Sequence, residues 1–305
     1  MSDGRHHLNW GAEALWQQLE PLLPGLSVEV VARLESTNTR LLDRARQFSG
    51  QRDAPVTRPG QIDDGPAAGD AAPSPYGRRA GDTQPCLLVA EHQTRGRGRL
   101  GRDWQSSAGL SLTFSLSLPL APRDWSGLSL AVGVALADAL EPPTEAPPRI
   151  GLKWPNDLWL IDAPGQGRKL GGVLIETVAV GSRRMCVVGV GLNVRPQVTE
   201  GLSSGFACLH EVDAAAGAPA ALAAVAAPLI LALRRFEAEG FAPFAAAYAR
   251  RDLLQGQRVV TSAPEPLEGV AEGVDERGAL RVRSGTLHTL VSGEVSVRLQ
   301  GSSAC

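Results

Sequence analysis

The chain has 305 residues, 30 lysines and arginines against 32 aspartates and glutamates, a formal net charge of −2 and 43% hydrophobic residues. That length suits one medium domain with a small one, or two of medium size, and the composition supports an ordinary buried core. The near balance of charge removes any general electrostatic drive toward nucleic acid or an anionic membrane. The four cysteines include no C-x-x-C pair and no histidine at metal-ligand spacing.

Residues 10–23 have the spacing of a short amphipathic helix. Residues 26–34 alternate and are rich in valine, as a strand is. Ser36-Thr37-Asn38 reads as a helix N-terminus, with Leu41, Leu42 and Ala45 on one face of the following helix. From about 50 to 83, Gly, Pro, Ala, Asp and Arg dominate. Such a stretch buries too little apolar surface to offset its ordering entropy, so a disordered insertion is expected there, and its deletion should leave activity intact.

Residues 86–90 form a buried strand, 92–107 a loop, and 110–118 a strand alternating apolar residues with Ser and Thr, one face of it in the core. A helix is expected over 128–140. Strands at 150–154 and 158–161 flank Pro155-Asn156-Asp157, which carries turn chemistry. Strands follow at 169–180 and 185–194, turning near Gly181, and then a helical stretch over 218–252 broken near Pro243. Five short strands from 258 onward have the pattern of a small β-barrel. The fold class expected is α+β, with a mixed, mostly antiparallel sheet and helices on one face in residues 10–252, and a small barrel in 255–300. The start of the chain has no signal character and no apolar run nears the ~20 residues of a bilayer span, so the cytoplasm is expected, with no membrane partner.

Of the 30 basic residues only two are lysines, Lys153 and Lys169, and both fall in motif-like segments. Lysine is a compact point charge that the planar arginine fork does not replace everywhere, so its survival at two places marks them. Gly96-Arg97-Gly98-Arg99-Leu100-Gly101 matches the dinucleotide pattern G-x-G-x-x-G and follows a strand. The pattern requires a helix to start there, and a second strand follows instead, so the context argues against a dinucleotide fold. A solvated surface loop is one alternative. An RNA-binding loop, with Trp104 stacking a base among Arg95, Arg97, Arg99 and Arg102, is another. The third is an anion lid: glycines admit a ligand to the backbone, arginines supply forked donors, and the loop closes on a charged group.

Lys153-Trp154-Pro155-Asn156-Asp157 offers a lysine for phosphate and two oxygen ligands for a nucleotide or Mg²⁺, or only a self-capped turn. Arg168-Lys169-Leu170-Gly171-Gly172 and the 189–194 segment bring glycines into strands, where a ligand can lie against the backbone. The chain carries no Walker A motif, no G-x-S-x-G elbow and no H-E-x-x-H. Arg, Lys, Asn, Asp and glycine loops without a nucleophile suit electrostatic catalysis on a phosphate.

Together these motifs resemble biotin–protein ligases, in order and spacing, over about 30–194. The resemblance implies a biotin- and ATP-binding catalytic domain like that of class II synthetases in 10–252 and an SH3-like barrel in 255–300. It implies that biotin and Mg·ATP form biotinyl-5′-adenylate, which then acylates a lysine of a biotin carboxyl carrier protein, the acetyl-CoA carboxylase subunit. The family's biotin contacts fall on Ser36, Thr37, Asn38, Gln93, Arg97, Gly98, Arg99 and Lys169. Those for ATP fall on Arg102, Trp104, Lys153, Asn156, Asp157 and Asn193, with Trp104 near the adenine. Lys169, Lys153 and Arg99 are the expected catalytic groups. A carboxylate and a phosphate oxygen at 4 Å repel by about 4 kcal/mol at an effective dielectric of 20, which these cations and Mg²⁺ offset.

Some relatives carry an N-terminal winged helix that binds an operator. About 25 residues precede the first strand here, so no specific DNA partner is expected. A monomer or homodimer fits equally. A lipoate–protein ligase shares the reaction and is the alternative enzyme; R-G-R-G-R and K-W-P-N-D favour biotin. An RNA-binding module comes third.

Overall fold

The computed structural model describes residues 8–52, 83–197, 205–262, 265–291 and 297–299. The insertion expected at 50–83 lies, apart from its ends, outside the described residues. The elements in order are α1 (Ala12–Leu19), β1 (Ser27–Leu34), α2 (Thr37–Arg52), β2 (Cys86–Gln93), β3 (Gly96–Arg97), β4 (Asp103–Trp104), β5 (Ser111–Pro119), α3 (Leu128–Leu140) and β6 (Ile150–Lys153). They continue with β7 (Asp157–Ala163), β8 (Gln166–Val180), β9 (Arg183–Asn193), α4 (Ala218–Glu239), α5 (Ala245–Arg251), β10 (Arg258–Thr261), β11 (Glu268–Val274), β12 (Leu280–Ser284), β13 (Thr286–Leu290) and β14 (Val297–Leu299).

Seven strands form one sheet in the order β1-β2-β5-β9-β8-β7-β6. Only β1 and β2 run parallel; the other neighbours are antiparallel. The C-terminal strands form a separate antiparallel sheet, β13-β12-β11-β10-β14.

Period-2 alternation decides what each sheet face carries. On β5, Leu112, Phe114, Leu116 and Leu118 enter the main core with residues of α1, α3 and α4, each worth about 1.5–3 kcal/mol over an exposed side chain. The intervening Ser111, Thr113, Ser115 and Ser117 are also buried, because α2 crosses that opposite face. It does so on Leu41 and Leu42 against Cys86, Leu88 and Val187. The helices on one face are therefore α1, α3 and α4, and α2 is placed alone on the other, beside the sites described below.

The 22-residue α4 is apolar enough by length and composition to cross a bilayer, contrary to the sequence expectation that no run approaches that length. Half of that stretch is buried inside the fold. Leu222, Val225, Leu229, Leu233 and Phe236 supply that buried side to the main core.

The C-terminal sheet joins through α5 and Asp252. Leu253 donates its N–H to Leu152 O at 3.0 Å. The Asp252 carboxyl is buried, and its Oδ2 has no hydrogen-bond partner. Burial pushes its pKa up from 3.8 to about 6, against the lowering effect of backbone donors from Leu254 and Gln255. Because the folded value exceeds the unfolded one, the protonated group's stabilising contribution is full below pH 4 and is lost as pH rises through about 6. The difference corresponds to at most about 3 kcal/mol. Asp252→Asn should remove this slope between pH 4 and 6.5 and raise the midpoint of urea unfolding at pH 7.5. An unchanged slope would show that this carboxyl does not titrate there.

Candidate functional site

The face opposite the main core is stripped of side chains where β8 and β9 meet. Gly172, Gly189 and Gly191 lie on it, by the register that sets Gly172 against Gly191 and Leu174 against Gly189. A Cβ on Gly189 would stand 2.2 Å from Asn38 Oδ1, and one on Gly191 would stand 2.5 Å from the Trp104 indole. The glycines are thus required for two close approaches, one by the start of α2 and one by the arginine loop.

Ser36, Thr37, Asn38 and Gln93 come together as expected, and all are buried. Gln93 Oε1 accepts the Thr37 N–H at 2.7 Å and lies 3.0 Å from Thr37 Oγ1. Asn38 donates through Nδ2 to Leu174 O at 3.1 Å and to Glu176 Oε2 at 3.0 Å. Its Oδ1 is 2.6 Å from Ser115 Oγ, which is also 2.6 Å from Thr37 Oγ1. Asn38 therefore spends both amide hydrogens on the protein.

The arginine loop folds as a minimal hairpin. β3 pairs with β4, and Gly98 donates its N–H to Arg102 O at 2.7 Å. A single 3-10 turn at Arg99–Gly101 and then β4 follow the glycines, with no α-helix to complete a dinucleotide-binding unit. The tip residue Leu100 is exposed at φ 56°, a left-handed backbone unusual for leucine. Arg97 turns back to Glu176, Nη2 to Oε1 at 2.9 Å, and reaches Thr39 Oγ1 at 3.3 Å. Arg99 points the other way and donates to Asn156 Oδ1 at 3.4 Å. Burial lowers the Arg99 pKa; nearby Asp157 opposes this and Arg102 adds to it. Arginine titrates so high that it stays charged regardless.

Both lysines stand by Asp157 or its strand. Lys169 Nζ is 2.8 Å from Asp157 Oδ1. Lys153 Nζ lies 4.4 Å from the centroid of the Trp159 ring, a cation–π contact. Asn156 donates through Nδ2 to Val173 O at 2.7 Å, which fixes the turn after the cis Trp154–Pro155 bond. Asn193 uses Nδ2 on Lys169 O at 3.2 Å and Ala207 O at 3.0 Å, so it holds the main chain around Lys169. Among the described residues, no group of three His, Cys, Asp or Glu side chains is gathered to hold a metal.

Three residues of this face were not singled out from sequence. Ser115 alternates like a half-solvated strand residue. Glu176 reads as an ordinary polar residue of the strand over 169–180. Trp159 reads as an ordinary strand aromatic. Only the position of α2 and the pairing of β7 with β8 bring them to the site.

The family Biotin/lipoate A/B protein ligase matches residues 80–193, and the Biotin protein ligase C terminal domain matches residues 256–298. The Escherichia coli bifunctional ligase/repressor BirA is 30% identical, over 92% of this chain and 77% of that protein. The Mycobacterium tuberculosis biotin–[acetyl-CoA-carboxylase] ligase is 31% identical, over 95% of this chain and 92% of that protein. Among solved structures, the Aquifex aeolicus biotin protein ligase in complex with biotin and ATP has a TM-score of 0.64 at 25% identity, covering 90% of this chain and 99% of that one.

Proposed function

Because this chain belongs to the biotin/lipoate A/B protein ligase family, we infer that it is a biotin–protein ligase, which activates biotin with ATP and passes the biotinyl group to a lysine of a biotin-carrying protein. One observation carries the chemistry. The two arginines of a single loop diverge, Arg97 to Thr39 and to Glu176, which also binds Asn38 of the buried polar group, and Arg99 to Asn156, next to the Asp157–Lys169 pair. One loop therefore spans a neutral polar recognition site and a cluster of cations, as an acid with a polar head and an ATP would require.

In the first step a biotin carboxylate oxygen attacks the α-phosphorus and the bond to pyrophosphate breaks, giving a mixed anhydride. We assign Lys169 to the carboxylate and α-phosphate oxygens, with Arg99 beside it, and Lys153 to the phosphates. Ser36, Thr37, Gln93, Gly98 and Arg97 hold biotin, with Asn38 behind them. Arg102 and Trp104 close over the nucleotide, and Asn193 sets the strand that carries Lys169. Mg²⁺ binds through one or two carboxylates together with substrate phosphates. Asp157, with Asn156, would hold it here, and the ion would neutralise phosphate charge. In the second step the neutral amine of the carrier lysine attacks the acyl carbon, the bond to AMP breaks, and the amine proton is released. No residue need act as a strong base, because AMP is a good leaving group.

The carrier we propose is a biotin carboxyl carrier protein of acetyl-CoA carboxylase. The protein would act in the cytoplasm as a monomer or homodimer. The test is incubation with ATP, Mg²⁺, biotin and a carrier domain, followed by mass spectrometry of the carrier. Gain of one biotinyl group on lysine is expected, with none when ATP is omitted. Gain of a lipoyl group from lipoate in place of biotin would move the assignment to a lipoate ligase.

A further inference from the structure

We propose that Ser115 is a positioning residue whose hydroxyl sets the hydrogen-bond polarity of the biotin head site, making Thr37 and Gln93 a pair of acceptors that select a ligand with a ring N–H. The inference rests on the biotin-ligase reading and deepens it.

The argument is a count of protons. Three close oxygen–oxygen contacts run in series: Gln93 Oε1 to Thr37 Oγ1 at 3.0 Å, Thr37 Oγ1 to Ser115 Oγ at 2.6 Å, and Ser115 Oγ to Asn38 Oδ1 at 2.6 Å. The two hydroxyls carry one hydrogen each, and neither carbonyl oxygen carries any. Three contacts therefore share two protons.

The amide orientations are set from outside. Glu176 Oε2 and Leu174 O take the Asn38 Nδ2 hydrogens, so Oδ1 must face Ser115. The Thr37 N–H takes Gln93 Oε1 at 2.7 Å, so that oxygen must face Thr37. Oxygens reach 2.6 Å only with a proton between them, since that is a short O–H···O distance and well inside the contact of two bare oxygens, whereas 3.0 Å is the least costly of the three contacts to leave without a proton. The protons therefore fall on the two short contacts. Thr37 donates to Ser115, and Ser115 donates to Asn38. That leaves Thr37 Oγ1 and Gln93 Oε1 side by side, with a deficit of one donor.

An N–H from a ligand supplies the missing donor to both oxygens. The cyclic urea of biotin has two N–H groups; the dithiolane of lipoate has none. The same chain reaches the lid, because the Glu176 carboxylate that orients Asn38 also holds Arg97. Lid position and head recognition thus share one anion.

Without the Ser115 hydroxyl, the Thr37 hydroxyl is free to donate to Gln93 and closes the acceptor pair. The test uses isothermal titration of the full chain with biotin and with biotin methylated at either ureido nitrogen. For the parent, one of the two methylated ligands should bind at least about tenfold more weakly than biotin, the scale of one hydrogen bond. In Ser115→Ala, biotin should weaken by about tenfold and the discrimination against that methylated ligand should shrink toward unity, with the KM for ATP unchanged. Ser115→Thr, which keeps the hydroxyl, should restore discrimination. Because Ser115 is fully buried, Glu176→Gln, on a partly exposed side chain, serves as a second variant. Its amide can donate to Asn38 and release the Asn38 orientation, so biotin KM should rise with little change in ATP KM. Full discrimination retained in a folded Ser115→Ala protein, or equal loss of biotin and ATP affinity in both variants, would overturn the proposal. Failure of the parent to bind biotin would instead overturn the function itself.

Discussion

Lys169→Ala should lower biotin-dependent pyrophosphate exchange by about 10²- to 10³-fold, the range for removing one preorganised charge donor from a developing oxyanion. Its ammonium is held at 2.8 Å from Asp157, so its position is set before substrate arrives. Space is left for a ligand because Gly172 lies alongside, where a Cβ would come within 3.1 Å of Asp157 Oδ1 and 3.6 Å of Lys169 Nζ. The fold should barely respond. The pair is partly exposed, and such ion pairs contribute at most about 1 kcal/mol. A large loss of rate with a nearly unchanged melting temperature separates chemistry from stability. Lys169→Arg should not rescue, since a planar fork does not fit a site built around a point charge. When biotinyl-5′-adenylate is supplied directly, transfer to the carrier should fall far less. Near-parental exchange by Lys169→Ala would remove the lysine from the first step.

The largest loss of stability is expected at Arg251. This side chain is 3% exposed and sits where α5 meets α3 and β6. It donates to Asp138 Oδ1 at 2.8 Å, to Glu141 Oε2 at 2.8 Å, to Glu141 O at 2.6 Å and to Ile150 O at 2.9 Å. Burial alone would raise the Glu141 pKa. The donors from Ile150, Arg251 and Arg149 outweigh it and hold the carboxyl below its ordinary value. Arg251→Ala leaves two carboxylates and two carbonyls without their cation. Breaking one side of a buried pair costs about 3–5 kcal/mol, on the order of 10 °C in melting temperature for a protein of this size. Thermal and urea unfolding both read this. The site should also suffer, because β6 runs from Ile150 directly to Lys153 and the turn that carries Asn156 and Asp157. A loss under 1 kcal/mol would mean that the network is replaced by water at little cost.

Much of the candidate site was legible along the chain because it is local. Ser36-Thr37-Asn38 is a helix start, the arginine loop is a glycine-rich connection between two strands, and both lysines stand out against 28 arginines. Strand and helix periods also placed most elements, including α3 at its observed bounds. What did not show was the covered side of β5. Alternating Ser and Thr look like a wetted strand face, and only α2 lying over them makes Ser115 a buried partner of Thr37 and Asn38. The length of α4 did not show as an apolar run either, and its buried side is core.

Sequence by itself determined which chemical groups are present and which local backbone carries them: cations in loops and strand ends, glycines where a close approach is needed, no nucleophile. Tertiary structure alone decided which way those groups face. Arg97 is turned to Glu176 and Arg99 to Asn156 by one hairpin, although the two residues are a single glycine apart. The physical reason is that hydrogen-bond direction and charge pairing depend on partners contributed by distant segments. Glu176 lies 138 positions from Asn38, and no local period encodes a contact that only the packing of a helix across a sheet brings within 3 Å.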